Sequence, residues 1–261
     1  DARTDVAVRR PSSGVWYVRP SASPNSYTST SWGVATDIPV PGDYDGDGKS
    51  DVAVWRPGTS VWYVRTSSLP GKYTASSWGV ATDIPVPGDY DGDGATDLAV
   101  WRPDTGVWYI KSSAPAGGYT ATKWGMAGDI PVPGDYDGDG KTDIAVRRPG
   151  TGIWYIRQSG LTGFFTSSQW GVNSDIAAPG DFDADGATDI AVWRPSTGVW
   201  YIRPSGSPGS YTAMQWGSNG DRPVVGDYDG DGLSDIAVWR PANGSWYIKP
   251  TTMPGGYTTI Q

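Results

Sequence analysis

The sequence predicts an all-β fold, a β-propeller of 46-residue, four-stranded blades. Three observations carry that prediction: one unit recurs every 46 residues, each unit holds four short extended segments, and no stretch has helical period or length. Trp-Tyr pairs begin at Trp16, Trp62, Trp108, Trp154, Trp200 and Trp246, and Arg-Pro pairs at Arg10, Arg56, Arg102, Arg148, Arg194 and Arg240. Trp-Gly pairs begin at Trp32, Trp78, Trp124, Trp170 and Trp216.

The unit that opens at Asp83 shows why each segment is a strand. Residues 83–90 read Asp-Ile-Pro-Val-Pro-Gly-Asp-Tyr, and each Pro disfavours helix at the residue before it, so this stretch is extended. Residues 97–102 alternate and are rich in side chains that suit a pleated surface. A Pro103-Asp104-Thr105-Gly106 turn leads to a third strand over 107–111, and a Ser/Pro/Gly loop leads to a fourth over 119–124. Four strands at this spacing fit a propeller blade, whereas a β-solenoid would repeat in shorter coils.

Applied along the chain, the scheme gives one propeller domain over 1–261 with five complete blades near 37–78, 83–124, 129–170, 175–216 and 221–261. Residues 1–32 supply only strands two to four of a further blade. Its first strand is expected either from a longer repeat array or from a neighbouring copy, and the latter would build rings or filaments head to tail.

Composition narrows the chemistry. The 261 residues include no Cys, no His and no Glu, so all 28 acidic residues are Asp. That removes Ser-His-Asp and Cys-His catalysis and any imidazole or thiolate zinc site. Apolar runs reach only four or five residues, far short of the ~20 that span a bilayer. A formal charge of −8 gives no basic stripe for nucleic acid. The start at Asp1, without Met or an apolar leader, reads as a mature secreted product or a cut segment.

Between strands one and two each complete unit carries Asp-x-Asp-x-Asp-Gly-x-x-Asp. The carboxylates are Asp43, Asp45, Asp47 and Asp51; Asp89, Asp91, Asp93 and Asp97; Asp135, Asp137, Asp139 and Asp143; Asp181, Asp183, Asp185 and Asp189; Asp227, Asp229, Asp231 and Asp235. Asp1 and Asp5 are the tail of a sixth loop. Four carboxylates in nine residues repel one another unless a cation sits among them. Hard oxygen ligands at positions 1, 3, 5 and 9, with the position-7 carbonyl of Lys49, Ala95, Lys141, Ala187 or Leu233, suit Ca²⁺, which takes 6–8 oxygens. About five Ca²⁺ sites are expected, and Mg²⁺ fits less well because it prefers a rigid octahedral shell with retained waters. The Gly after the third Asp permits the sharp turn. An EF-hand is excluded, because position 12 is a strand Val and Glu is absent.

The stretch Asp-Tyr-Asp-Gly-Asp-Gly-Lys-Thr-Asp-Ile-Ala-Val at 135–146 resembles the calcium loop and following strand of FG-GAP/VCBS-type repeats, as in integrin α-subunit propellers and many secreted bacterial proteins. Some fungal propeller lectins share the architecture. The resemblance covers essentially the whole chain, and it implies Ca²⁺ in hairpins on one rim with roles in adhesion, ligand recognition or glycan binding. The units depart from integrin ones in being shorter, with Trp-Gly and Pro-Gly-Asp in place of the Phe-Gly and Gly-Ala-Pro signatures.

Comparison among the repeats separates packing from binding. The uniform Trp-Tyr and Trp-Gly aromatics are expected to pack between blades. The Arg56 series is expected to hold a backbone carbonyl or the off-loop Asp37, Asp83, Asp129, Asp175 and Asp221. Trp55, Trp101, Trp193 and Trp239 have Arg9 and Arg147 as equivalents, which implies a partly solvated position and makes these four Trp candidates for stacking on a ligand. The expected function is therefore a non-enzymatic, extracellular or secreted, calcium-binding propeller that recognises a glycan or protein. The alternative is a structural protein that self-assembles through the incomplete blade. No nucleic-acid partner and no membrane insertion are expected.

Overall fold

The computed structural model describes residues 3–114, 117–161, 163–253 and 255–261, so Asp1 lies outside the described residues. Among these residues the structure is all β, and no helix is long and apolar enough to cross a membrane. The strands form six antiparallel meanders, here called blades 1 to 6 in chain order.

Blade 1 has three strands, Val6–Arg10, Val15–Arg19 and Thr28–Ser31. Blades 2 to 6 have four each. Blade 3 is representative, with Ile84–Pro85, Leu98–Arg102, Val107–Lys111 and Tyr119–Lys123. Its first strand is only two residues, because Pro85 has no N–H and Pro87 restricts Val86. Pairing resumes at an isolated bridge between Gly88 and Asp97, and equivalent bridges join Gly42 to Asp51, Gly134 to Asp143 and Gly180 to Asp189. The second hairpin closes where the Gly106 amide donates to the Arg102 carbonyl at 2.8 Å, with Gly106 at φ +68°. That left-handed conformation favours glycine.

The second and third strands are the buried ones. Ala99, Val100 and Trp101 are fully buried in succession, since one face packs within the blade and the other against its neighbour. Each inter-blade wedge is filled the same way: Val40, Ala53, Trp55, Trp62 and Val64 of blade 2 pack on Val100 of blade 3. The fourth strands are short and rich in Thr and Ser, and they form polar outer edges.

Adjacent blades are also tied by backbone. The Thr96, Thr142, Thr188 and Ser234 amides donate to the Asp43, Asp89, Asp135 and Asp181 carbonyls at 2.5–2.6 Å. Thr4 makes the same bond to the Asp227 carbonyl at 2.5 Å, and Val6 packs against Ala237, Trp246 and Ile248. Blade 6 thus contacts blade 1, and the six blades close into a ring. The expected propeller, with five complete blades and three strands of a sixth, is what forms.

Candidate metal centre

Each aspartate loop bulges between the two residues of a Gly–Asp pair that closes its base, such as Gly88 and Asp97 or Gly226 and Asp235. The Gly after the third Asp adopts the left-handed conformation in all five loops, with φ of +81° at Gly48 and +88° at Gly232. The wrapping turn read from the sequence is present.

The position-1 carboxylate organises the turn. Asp89 accepts from the Gly92 amide at 2.6 Å through Oδ1 and from the Gly94 amide at 2.8 Å through Oδ2. Position 9 is buried under the loop, where Asp97 accepts from the Tyr90 amide at 2.9 Å and the Ser113 amide at 2.7 Å. Position 3 faces both: Asp91, Asp89 and Asp97 each place a carboxylate oxygen within 4.8 Å of the others. The same trio forms at Asp43, Asp45 and Asp51; Asp135, Asp137 and Asp143; Asp181, Asp183 and Asp189; Asp227, Asp229 and Asp235.

Position 5 lies outside the trio of oxygens within 4.8 Å. Asp47, Asp93, Asp139, Asp185 and Asp231 are turned toward the loop's own backbone and the facing hairpin; Asp93 Oδ1 accepts from the Ala95 amide at 2.9 Å and Oδ2 from the Ser113 hydroxyl at 2.8 Å. Asp139 is held likewise by the Lys141 amide and the Ser159 hydroxyl, both at 2.9 Å. Position 3 is held from the same facing hairpin, Asp91 Oδ2 accepting from the Ser112 hydroxyl, so the converging trio is defined by the 4.8 Å spacing of its oxygens rather than by a lack of hydrogen bonds. At position 7, the amides of Lys49, Ala95, Lys141, Ala187 and Leu233 all hold the preceding Asp in this way.

The electrostatics of the trio favour a cation. Burial raises the carboxyl pKa of Asp51, Asp97, Asp189 and Asp235, and charge from the neighbouring loop aspartates adds to it. Asp143 is pushed up to about 6 by the same causes. Asp137 Oδ1 and Asp229 Oδ1 are buried without a hydrogen-bond partner. A buried carboxylate oxygen that no donor satisfies is costly, and a divalent ion among three such groups relieves both defects at once. All-oxygen donors of this kind fit a hard cation such as Ca²⁺.

The residues of these loops also fix the family. The chain matches the FG-GAP-like repeat over residues 43–100, 89–146, 135–192 and 181–238, which together run through most of its length. The chain belongs to the FG-GAP-like repeat family. No curated protein matches it. Among solved structures, this FG-GAP-like propeller is similar to an Agrocybe aegerita lectin described as recognising non-reducing terminal N-acetylglucosamine, at 14% identity and a TM-score of 0.62, covering 100% of this chain and 77% of that one. It is also similar to virginiamycin B lyase from Staphylococcus aureus, at 8% identity and a TM-score of 0.60, covering 100% and 81%. A functionally unknown protein from Desulfotomaculum acetoxidans gives 12% identity, a TM-score of 0.55 and coverage of 99% and 79%. At such identities the likeness is one of fold.

A second lattice braces the FG-GAP-like blades. Arg102 donates from Nε to Asp83 Oδ1 at 2.8 Å and from Nη2 to Oδ2 at 3.0 Å, and its guanidinium lies 4.4 Å from the Tyr109 ring centroid. Arg56–Asp37, Arg148–Asp129, Arg194–Asp175 and Arg240–Asp221 repeat the pair, as expected. Burial opposes ionisation of Asp37, but hydrogen bonds from Arg56 and the Val34 amide outweigh it and hold the carboxyl below its usual value.

The predicted stacking residues are displaced by the structure. Trp55, Trp101 and Trp193 have 0% exposure, so these three present no face to solvent, whereas Trp239 is half-buried and lines an open groove between blades 6 and 1. The Arg equivalents misled because Arg147 is itself fully buried, its guanidinium donating to the Asp175 carbonyl at 3.2 Å and the Val172 carbonyl at 2.5 Å. Arg9 makes the same two kinds of bond, to Asp37 and Val34 carbonyls. Backbone carbonyls of the Trp-Gly segment accept from both guanidinium groups.

Exposed aromatics lie elsewhere. Trp78 stands edge-on to Tyr119 with ring centroids 5.5 Å apart, and with Arg102 and Tyr109 these residues line a shallow pocket. Trp32, Arg56, Tyr63 and Tyr73 line its equivalent one blade earlier. Tyr119 is 66% and Tyr73 59% exposed. Each pocket draws on two successive repeats, which is why motif spacing within one repeat does not reveal it. The available signal was the recurrence of Tyr27, Tyr73, Tyr119, Tyr211 and Tyr257.

Proposed function

We propose that this protein is a non-enzymatic, extracellular recognition propeller that carries one Ca²⁺ in each of five aspartate hairpins. The observation that carries the metal reading is the convergence of three carboxylates in every loop, with Asp137 Oδ1 and Asp229 Oδ1 buried and unsatisfied. Positions 1, 3 and 9 would hold the ion with the position-7 carbonyl, and the bound charge would cross-link a loop that otherwise repels itself. Five divalent ions more than offset the chain's formal charge of −8. Extracellular loops of this type bind at ~10⁻⁴–10⁻³ M, a range filled outside cells and not in cytosol.

The recognition surface in this reading is the series of inter-blade pockets, where an exposed Tyr, an edge-on Trp and an Arg meet. Aromatic faces beside a guanidinium suit the C–H faces and hydroxyls of a sugar. That pocket chemistry favours a glycan over a protein ligand, while the lectin and lyase neighbours show only that the fold serves binding proteins and enzymes alike. A glycan-array screen in 2 mM-scale, that is ~10⁻³ M, calcium tests it: binding is expected, and Tyr73→Ala with Tyr119→Ala is expected to weaken it. Binding that survives both substitutions would move the site away from these pockets, and turnover of a bound polysaccharide would contradict the non-enzymatic reading.

A further inference from the structure

We propose that the groove between blades 6 and 1 is a socket for one more repeat segment of the pattern Trp-Gly-x-x-x-Asp-Ile-Pro, in the register that continues from Gln261. The groove has a volume of about 680 Å³, and Arg10, Tyr17, Tyr27, Trp239, Gly244 and Gln261 are among its lining residues.

At the other junctions this segment does four things. Its indole donates to a Tyr carbonyl of the next blade, as Trp78 Nε1 does to Tyr109 O at 3.1 Å, and stands edge-on to an outer aromatic. Its Trp carbonyl accepts from two indoles of the preceding blade, as Trp124 O does from Trp101 at 3.2 Å and Trp108 at 2.9 Å. Its backbone lies against the hairpin glycine, where a Cβ on Gly106 or Gly198 would meet the next glycine's carbonyl at 2.2 Å. Its Asp takes the Arg of the next blade in a two-bonded pair.

At the groove every one of those partners is waiting. Trp239 Nε1 is buried with no acceptor, at the position where Trp101 finds Trp124 O. Gly244 meets nothing within 4 Å. Arg10 is exposed and reaches only the Tyr17 hydroxyl at 3.4 Å, while the five other arginines of its series hold a carboxylate. Tyr27 rests on Tyr17, at 6.0 Å, where its counterparts rest on a Trp. The free edge of Val6–Arg10 completes the match: Ile84–Pro85 pairs with Trp101 and Val100, and the equivalents in blade 1 are Arg9 and Val8.

The occupant is thus specified by an indole cavity, a carboxylate receptor and an open strand edge. A second copy is a poor donor, since the Trp-Gly segments at 32–41, 78–87, 124–133, 170–179 and 216–225 are already seated in the ring and one would have to be pulled out. Gln261 lines the groove at the position that precedes Trp in the other blades, as Gln215 precedes Trp216.

The test uses the ten-residue sequence shared by 32–41 and 78–87, both as a free peptide with the 261-residue chain and appended after Gln261. Appended, it is expected to raise Tm by roughly 5 °C and to show slowed amide exchange. Arg10→Ala, or Ala in place of the appended Trp, is expected to cancel most of that rise and to weaken any peptide binding about tenfold. Appended amides that exchange as a free peptide with unchanged Tm would overturn the proposal. So would a dimer of the 261-residue chain that Arg10→Ala dissociates, because that would place a second copy in the groove.

Discussion

Asp137 concentrates the chemistry of the loops in one side chain. Its Oδ1 is buried without a donor, and its neighbours Asp135 and Asp143 lie within reach of a common cation. Replacement by Asn keeps the shape and removes the charge. Asp137→Asn is therefore expected to remove one ion of five and leave the other four, because each loop supplies its own ligands; metal content of the variant measures this, and loss of all five would contradict independent sites. The loops differ at one backbone position. Ala184 holds φ +59° where the other loops have glycine, a conformation that costs an L-residue roughly 1–2 kcal/mol. Ala184→Gly is expected to stabilise the chain by about 0.5–1 kcal/mol once the extra freedom of glycine in the unfolded chain is subtracted, as read from denaturant unfolding.

The hairpin loop is the element on which pH acts. With no ion bound, burial raises Asp143 from 3.8 to about 6 and shifts Asp51, Asp97, Asp189 and Asp235 in the same direction. A carboxyl whose folded pKa is raised binds more protons in the folded state, so its contribution is present at low pH and lost as pH rises through that value. The chelated protein is expected to lose Tm between about pH 4 and pH 6. Calcium needs the ionised trio, so the gap between calcium-loaded and chelated Tm should widen over the same window; a constant gap would contradict ligation by the position-9 aspartates. Most of this element was legible beforehand, because carboxylate spacing and the left-handed Gly are local properties. The hydroxyl partners of positions 3 and 5 were not, since Asp91 and Asp93 are held by Ser112 and Ser113 of the next hairpin.

Across the whole molecule, a period of 46 residues made the ring readable, and the missing strand of blade 1 followed from the register of the repeat. Solvent exposure was not readable in the same way. Trp55 and Arg147 occupy one structural position, and both are buried because the Trp-Gly segment of the next repeat offers carbonyls that accept from either an indole or a guanidinium. Neither side chain announces that partner 23 to 28 residues away. The inter-blade pockets escaped for the same reason, being assembled from Trp78 and Tyr119 of successive repeats.

What unites these scales is a set of acidic hairpins, each drawing three carboxylates onto one point, repeated around a closed ring. Equilibrium dialysis of the chain against millimolar-range (~10⁻³ M) calcium, with bound metal counted per chain, probes that claim at its root. The account predicts a ratio near five, falling to near zero when the position-9 residues Asp51, Asp97, Asp143, Asp189 and Asp235 are all changed to Asn. A ratio near zero for the unaltered, folded chain would contradict it.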